Sequence, residues 1–354
     1  MSRFISTLGR GALGFALAAG ALAVVPAAAQ TPAQIQAAVD AAYAKYKDNN
    51  DGAVADYIPA LAKVDPKVFG IAVVTADGKV YTAGDLKTEV SIQSISKVFT
   101  MALVMDQQSP DAILTTIGAD ATGMRFNSIV SVEWSYKGLG GSKLENAAEM
   151  NPLVNPGANT ATSMVQGKSR AEIWGNISSF YNAAAGRQLT VLKDVYDSEA
   201  ATNQRNQAIG MLMYAYGYIK DNPRQAVDIY TEQCSVGVNA RDLATMAAML
   251  AFGGVNPVTK KQVMKPTDVP EVLAVMATAG LYDDAGKWLF RTGLPAKSGV
   301  GGGIIAVSPG KFGIAVISPP VDAAGNSVRA QLAIADISNA LGGNPYAQFG
   351  PAVK

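Results

Sequence analysis

The chain has 354 residues, 49% of them hydrophobic, with 29 basic and 28 acidic side chains for a net charge of +1. That length fills one or two domains, and so even a charge balance does not suggest a nucleic-acid partner, which normally needs a basic face. Histidine is absent and Cys234 is the sole cysteine, which excludes Cys/His zinc sites, Ser-His-Asp or Cys-His catalysis and any internal disulfide, leaving Lys, Tyr, Asp or Glu as the base of a nucleophilic enzyme.

The N-terminus carries Arg3 and Arg10, an apolar run over 12–25 and then Pro-Ala-Ala-Ala-Gln at 26–30. A basic start, a short apolar centre and an Ala-x-Ala end predict a secretory signal at 1–29, cleaved after Ala29. The run falls short of the roughly 20 residues of a membrane span. The expected mature chain, 30–354, is therefore periplasmic or secreted, with no membrane association once the signal is removed.

Residues 31–48 read as an amphipathic helix with Ile35, Val39, Ala42 and Tyr46 on one stripe. Two apolar runs around Asp77-Gly78 (69–85) predict a hairpin, and so do those around Pro309-Gly310 (301–319). Between them the chain is helical in pattern. Val98, Met101, Ala102 and Met105 share one helix that Pro110 is expected to end, and Asn239 caps another that Gly253-Gly254 stops. Residues 137–152 read as a surface loop, and 326–341 as a closing helix. Strands at both ends with helices between predict an α+β fold. Its mostly antiparallel sheet comes from about 65–90 and 290–345, and a helical lobe at about 100–285 is inserted between these segments.

Ser94 and Lys97, in Ser-Ile-Ser-Lys, follow the first hairpin at one-turn spacing. On one helix face near a positive N-terminus, a buried lysine with a lowered pKa is a base for the serine. The plainer reading is a capping serine with a lysine that snorkels to water. Spacing alone leaves both open, because Ser308 and Lys311 repeat it around a Pro-Gly turn. Cys234 reads as a buried small apolar residue.

The segments VADYIPALAKVDP, SIQSISKVF, FNSIV, NPLVN, GLYDDAG and LPAKSGVGGG occur in this order from about residue 35 to 342. In that order they resemble the bacterial serine-dependent glutaminases, of the β-lactamase and penicillin-binding fold group. The resemblance implies hydrolysis of L-glutamine to L-glutamate and ammonia, with no metal or organic cofactor, by a homodimer or homotetramer. It implies Ser94 as nucleophile, Lys97 as base, and Tyr57 and Tyr282 as proton carriers, with the oxyanion on the backbone N–H groups of Ser94 and Val300. Glu199 would bind the substrate ammonium, and Asn155, Asn206 and Tyr230 its carboxylate end.

Glu199 and Asn206, seven residues apart, are expected two turns apart on one helix face. Without the resemblance they read as a solvated face, and Tyr230 and Cys234 as core. The role of Lys297 stays open. The sequence departs from the family at Pro156, in a longer segment between FNS and NPLVN, and in its export signal. The alternatives are an acyl hydrolase of the same fold acting on a β-lactam or peptide, and a non-catalytic amino-acid binding protein.

Overall fold

The computed structural model describes residues 30–135 and 150–347. The expected signal segment and most of the expected 137–152 loop lie outside the described residues.

The sheet is built from both ends of this region. Strands β1 (Gly70–Thr75) and β2 (Val80–Gly84) form the first hairpin, with Gly78 at φ +82° in its turn. Two short ribbons follow, β3 (Val90–Ser91) with β4 (Gly237–Val238) and β5 (Val255–Asn256) with β6 (Lys261–Gln262). Then come β7 (Ala296–Gly299), β8 (Gly303–Ser308) and β9 (Phe312–Ile317). The main sheet has the order β2-β1-β9-β8-β7 and every pairing is antiparallel, with Gly70 opposite Ile317. Ser308 and Lys311 close the β8–β9 turn and donate to the carbonyls of Gly343 (2.7 Å) and Gly342 (2.5 Å). This second Ser-x-x-Lys is structural.

The helices are α1 (Pro32–Tyr46), α2 (Ser96–Gln107), α3 (Pro110–Thr116), α4 (Val130–Ser135), α5 (Asn155–Met164), α6 (Arg170–Ala185) and α7 (Lys193–Thr202). They continue with α8 (Gln204–Ala215), α9 (Pro223–Cys234), α10 (Ala240–Ala251), α11 (Val269–Ala279), α12 (Ala285–Thr292) and α13 (Val328–Ala340). Thr31 and Gln34 form a capping box on α1, and Asn239 and Asp242 form one on α10. Helices cover both sheet faces, so the strands are apolar on both sides. Val39, Ile334 and Ile337 meet Ile71, Val73 and Ile314 on one face, while Leu243, Met246 and Phe99 meet Ala72, Val74 and Ala315 on the other.

α2 ends before Pro110 as expected, with one addition, and one other local expectation changes. Pro110 does not simply end α2: Ser109 caps a new helix with Pro110 in its first turn, where a missing N–H is harmless. And α7 and α8 are separate helices, because Asn203 leaves helical geometry (φ −93°, ψ +24°) and donates its amide to Thr231 Oγ1 at 2.9 Å. No helix among the described residues is long and apolar enough to cross a membrane.

Candidate active site

Ser94 lies in a 3-10 turn, Gln93–Ile95, that runs straight into α2 with no side-chain cap. Gln93 just before it has φ +48°, a conformation rare outside glycine and a mark of local strain. The segment is held from both sides. Ile92 N–H donates to Val236 O at 2.8 Å. The glycines around Val300 press on it so closely that a Cβ on Gly299 would sit 2.8 Å from Ile92 O, and one on Gly301 2.4 Å from Ser91 O. Only glycine permits that approach, and it brings Val300 onto the same cavity wall as Ser94.

Lys97 is 1% exposed and does not snorkel. Its Nζ donates to Asn155 Oδ1 at 2.7 Å and to Leu153 O at 3.3 Å, and lies 5.9 and 5.8 Å from the ring centres of Phe126 and Tyr230. Burial pulls its pKa down from 10.5 to about 8.

Tyr282 has φ +53° at a 3-10 turn, Tyr282–Asp284. Its hydroxyl donates to Ser298 O at 3.3 Å, and the neighbouring Ser94 side chain offsets part of the burial that pushes it up to about 12. Lys297 is fully buried, donates to Ser298 O at 2.6 Å and places Nζ 4.1 Å from the Tyr282 ring centre. It therefore supports the tyrosine from behind. Burial and then Lys97 hold its pKa well below the usual lysine range. Tyr57 is 57% exposed, at the rim.

A cavity of about 180 Å³ is lined by Tyr57, Ser94, Asn155, Glu199, Asn206, Tyr230 and Val300, whereas Tyr282 lines an adjoining cavity that shares Phe126 with it. Glu199 and Asn206 come to the first cavity from α7 and α8, not from one helix face as the spacing suggested; the break at Asn203 brings both to the same wall. Glu199 is buried, which pushes its carboxyl up to about 7 against a 3.3 Å bond from Gln93 Nε2. Asn155 opens α5, its N–H donating to Phe126 O at 2.7 Å. Pro156 falls in that first turn and takes no hydrogen bond away from the helix. Tyr230 is both core and site: it packs with Ala158 and Cys234 and donates to Asn155 Oδ1 at 3.3 Å. Cys234 is buried, its thiol raised to about 12 by desolvation.

The cavity also includes residues that sequence reasoning passed over: Gln93, Phe126, Asn127, Thr202, Asn203 and Arg205. Gln93 adjoins Ser94 within SIQSISKVF, and Phe126 and Asn127 open FNSIV, so the motifs themselves held that signal.

The profile of the Glutaminase family matches residues 52–346. A glutaminase of Colwellia psychrerythraea is 50% identical over 320 residues, covering 90% of this chain and all of that protein. One of Mycobacterium marinum is 47% identical, covering 87% and 93%. Among solved structures, the probable glutaminase ybaS superposes with a TM-score of 0.85 at 43% identity, covering 90% of this chain and all of that one. A probable glutaminase from Bacillus subtilis complexed with 6-diazo-5-oxo-L-norleucine superposes at 0.74 and 27%, covering 87% and 94%. With a sheet, helices and cavity of this kind, and relatives matched over nearly all of their length, the chain belongs to the glutaminase family and is an amidohydrolase that converts glutamine to glutamate.

Proposed function

We propose that hydrolysis of the L-glutamine side-chain amide runs through a seryl ester on Ser94 with Lys97 as base. Ser94 Oγ attacks the amide carbon while its proton passes to neutral Lys97. The oxyanion rests on the backbone N–H groups of Ser94 and Val300. The C–N bond then breaks, and ammonia leaves with a proton returned through Tyr282, with Tyr57 at the rim as a second carrier. Water attacks the ester, gives its proton to Lys97 and releases glutamate with Ser94 restored. Glu199 pairs with the substrate ammonium, and Asn155, Asn206 and Tyr230 supply hydrogen bonds at the carboxylate end.

The observation that carries this reading is Lys97: one turn from Ser94, sealed from water and with a pKa lowered to about 8. Ammonia release from L-glutamine by residues 30–354 is the test. It should vanish in Ser94→Ala while Tm stays unchanged, and release that survives in the folded variant rejects Ser94 as nucleophile.

The same proposal includes export, supported by the basic start and Ala-x-Ala end of residues 1–29, and assembly as a homodimer or homotetramer. The mass of the secreted protein should correspond to a chain beginning at Gln30, and light scattering of that protein gives the oligomer.

A further inference from the structure

The cavity's lining holds one carboxylate, Glu199, and one cation, Arg205, among the described residues. Glutamine itself carries one ammonium and one carboxylate. Resting on the substrate reading above, we propose that Arg205 is the counter-charge for the substrate's α-carboxylate and so restricts the site to free amino acids.

Three observations support this. The neutral groups expected at the carboxylate end are partly engaged with one another. Asn155 Oδ1 already accepts from Lys97 at 2.7 Å and from Tyr230 at 3.3 Å, and Asn155 Nδ2 donates to Asn206 Oδ1 at 2.8 Å. They contribute hydrogen bonds but no positive charge. Arg205, in contrast, is oriented and unspent. Its Nε donates to Asn127 O at 2.9 Å, which fixes the guanidinium plane and leaves both terminal nitrogens for a two-pronged carboxylate contact. Among the described residues no carboxylate pairs with it, whereas Arg170 is held by Asp228 and Glu232, and Arg187 by Glu89 and Asp242. Finally, Arg205 and Asn206 stand in the first turn of α8, whose partial positive charge adds to the guanidinium.

The two charges thus come from either side of the Asn203 break. A glutamine within a peptide, or one esterified at its carboxylate, meets Glu199 or Arg205 without its partner charge.

The test compares L-glutamine with its α-methyl ester, which keeps the ammonium and the side-chain amide but loses the negative charge. Ammonia release is measured for the unaltered protein, Arg205→Gln and Arg205→Lys. Arg205→Gln is expected to raise KM for glutamine roughly 10- to 100-fold, the loss of a charge-assisted pair, and to leave kcat/KM for the ester within about twofold. Arg205→Lys keeps the charge while breaking the bond to Asn127, and should recover part of the glutamine affinity. Equal losses on both substrates, or no rescue by lysine, would mean that Arg205 only positions the Asn127 segment and would overturn the proposal. Ser94→Ala assayed alongside separates the two claims: ammonia release that survives there overturns the catalytic reading, not the role of Arg205.

Discussion

Among the described residues no carboxylate forms an ion pair with Lys97, which has two oxygen acceptors and two aromatic faces and feels Glu199 only at longer range. A lysine whose folded pKa is about 8 against 10.5 in the unfolded chain binds fewer protons when folded. Its burial therefore costs stability below pH 8, and that cost fades as pH rises from 8 towards 10.5. Glu199, raised from 4.5 to about 7, works in the opposite direction: its cost sets in as pH rises from 4.5 and is complete above 7. Lys97→Met should abolish ammonia release yet leave the fold at pH 7 as stable or more so, by up to about 4 kcal/mol. A lower Tm would show that the ammonium holds the site together. The same two groups shape the pH dependence. kcat/KM should climb through about 7 and again through about 8, as Glu199 ionises and Lys97 loses its proton. In kcat only the step near 8 should remain, because a bound substrate ammonium holds Glu199 ionised. A kcat profile flat from pH 5 to 9 rules out Lys97 as base. Glu199→Gln should raise KM roughly 10- to 100-fold through loss of a charge-assisted pair; an unchanged KM with a lower Tm would mark Glu199 as structural. The Ser94 and Lys97 spacing is local and so visible in the sequence, but Ser308 and Lys311 share it, and Tyr282 was pointed to only by the family segment GLYDDAG. Arg205 was not legible, since one exposed arginine on a helix has no pattern that separates it from a solvated face.

At the scale of elements, β9 and α10 pack main chain against main chain. A Cβ on Gly313 would lie 2.1 Å from Ala248 N, so backbone meets backbone where the sheet's central strand passes under the helix. Gly313→Ala should destabilise the protein by about 1–3 kcal/mol or more, since neither main chain gives way readily; a urea midpoint equal to that of the unaltered protein would show that α10 can shift. Both hairpins and the Asn239 cap were readable in advance, because Asp77-Gly78, Pro309-Gly310 and Asn239 act on their immediate neighbours. The α7–α8 break was not. It depends on Asn203 finding Thr231 on α9, a contact between residues 28 apart that no local pattern announces. Pro110 is a different case: the cap from Ser109 that starts a new helix there is a local signal, passed over because the proline was weighed only as a stop.

Across the whole molecule, a terminal sheet with helices between was legible from the two outer hairpins, and the all-antiparallel order follows from β1 pairing directly with β9. Less legible was that α10, counted with the helical lobe, belongs to the sheet's own core. The direct pairing of β1 with β9 also sets a timetable. The strand that both β1 and β8 need as neighbour begins only at Phe312, so the first hairpin waits through some 230 residues of synthesis for the partner that completes its sheet. A nascent chain stopped at residue 311 should remain open to protease, whereas resistance at that length would show that the helices fold ahead of the sheet. For a protein that we propose to be exported, this delay has a use: a polypeptide unable to close early stays slack enough to thread through a narrow pore, and tightens on the far side.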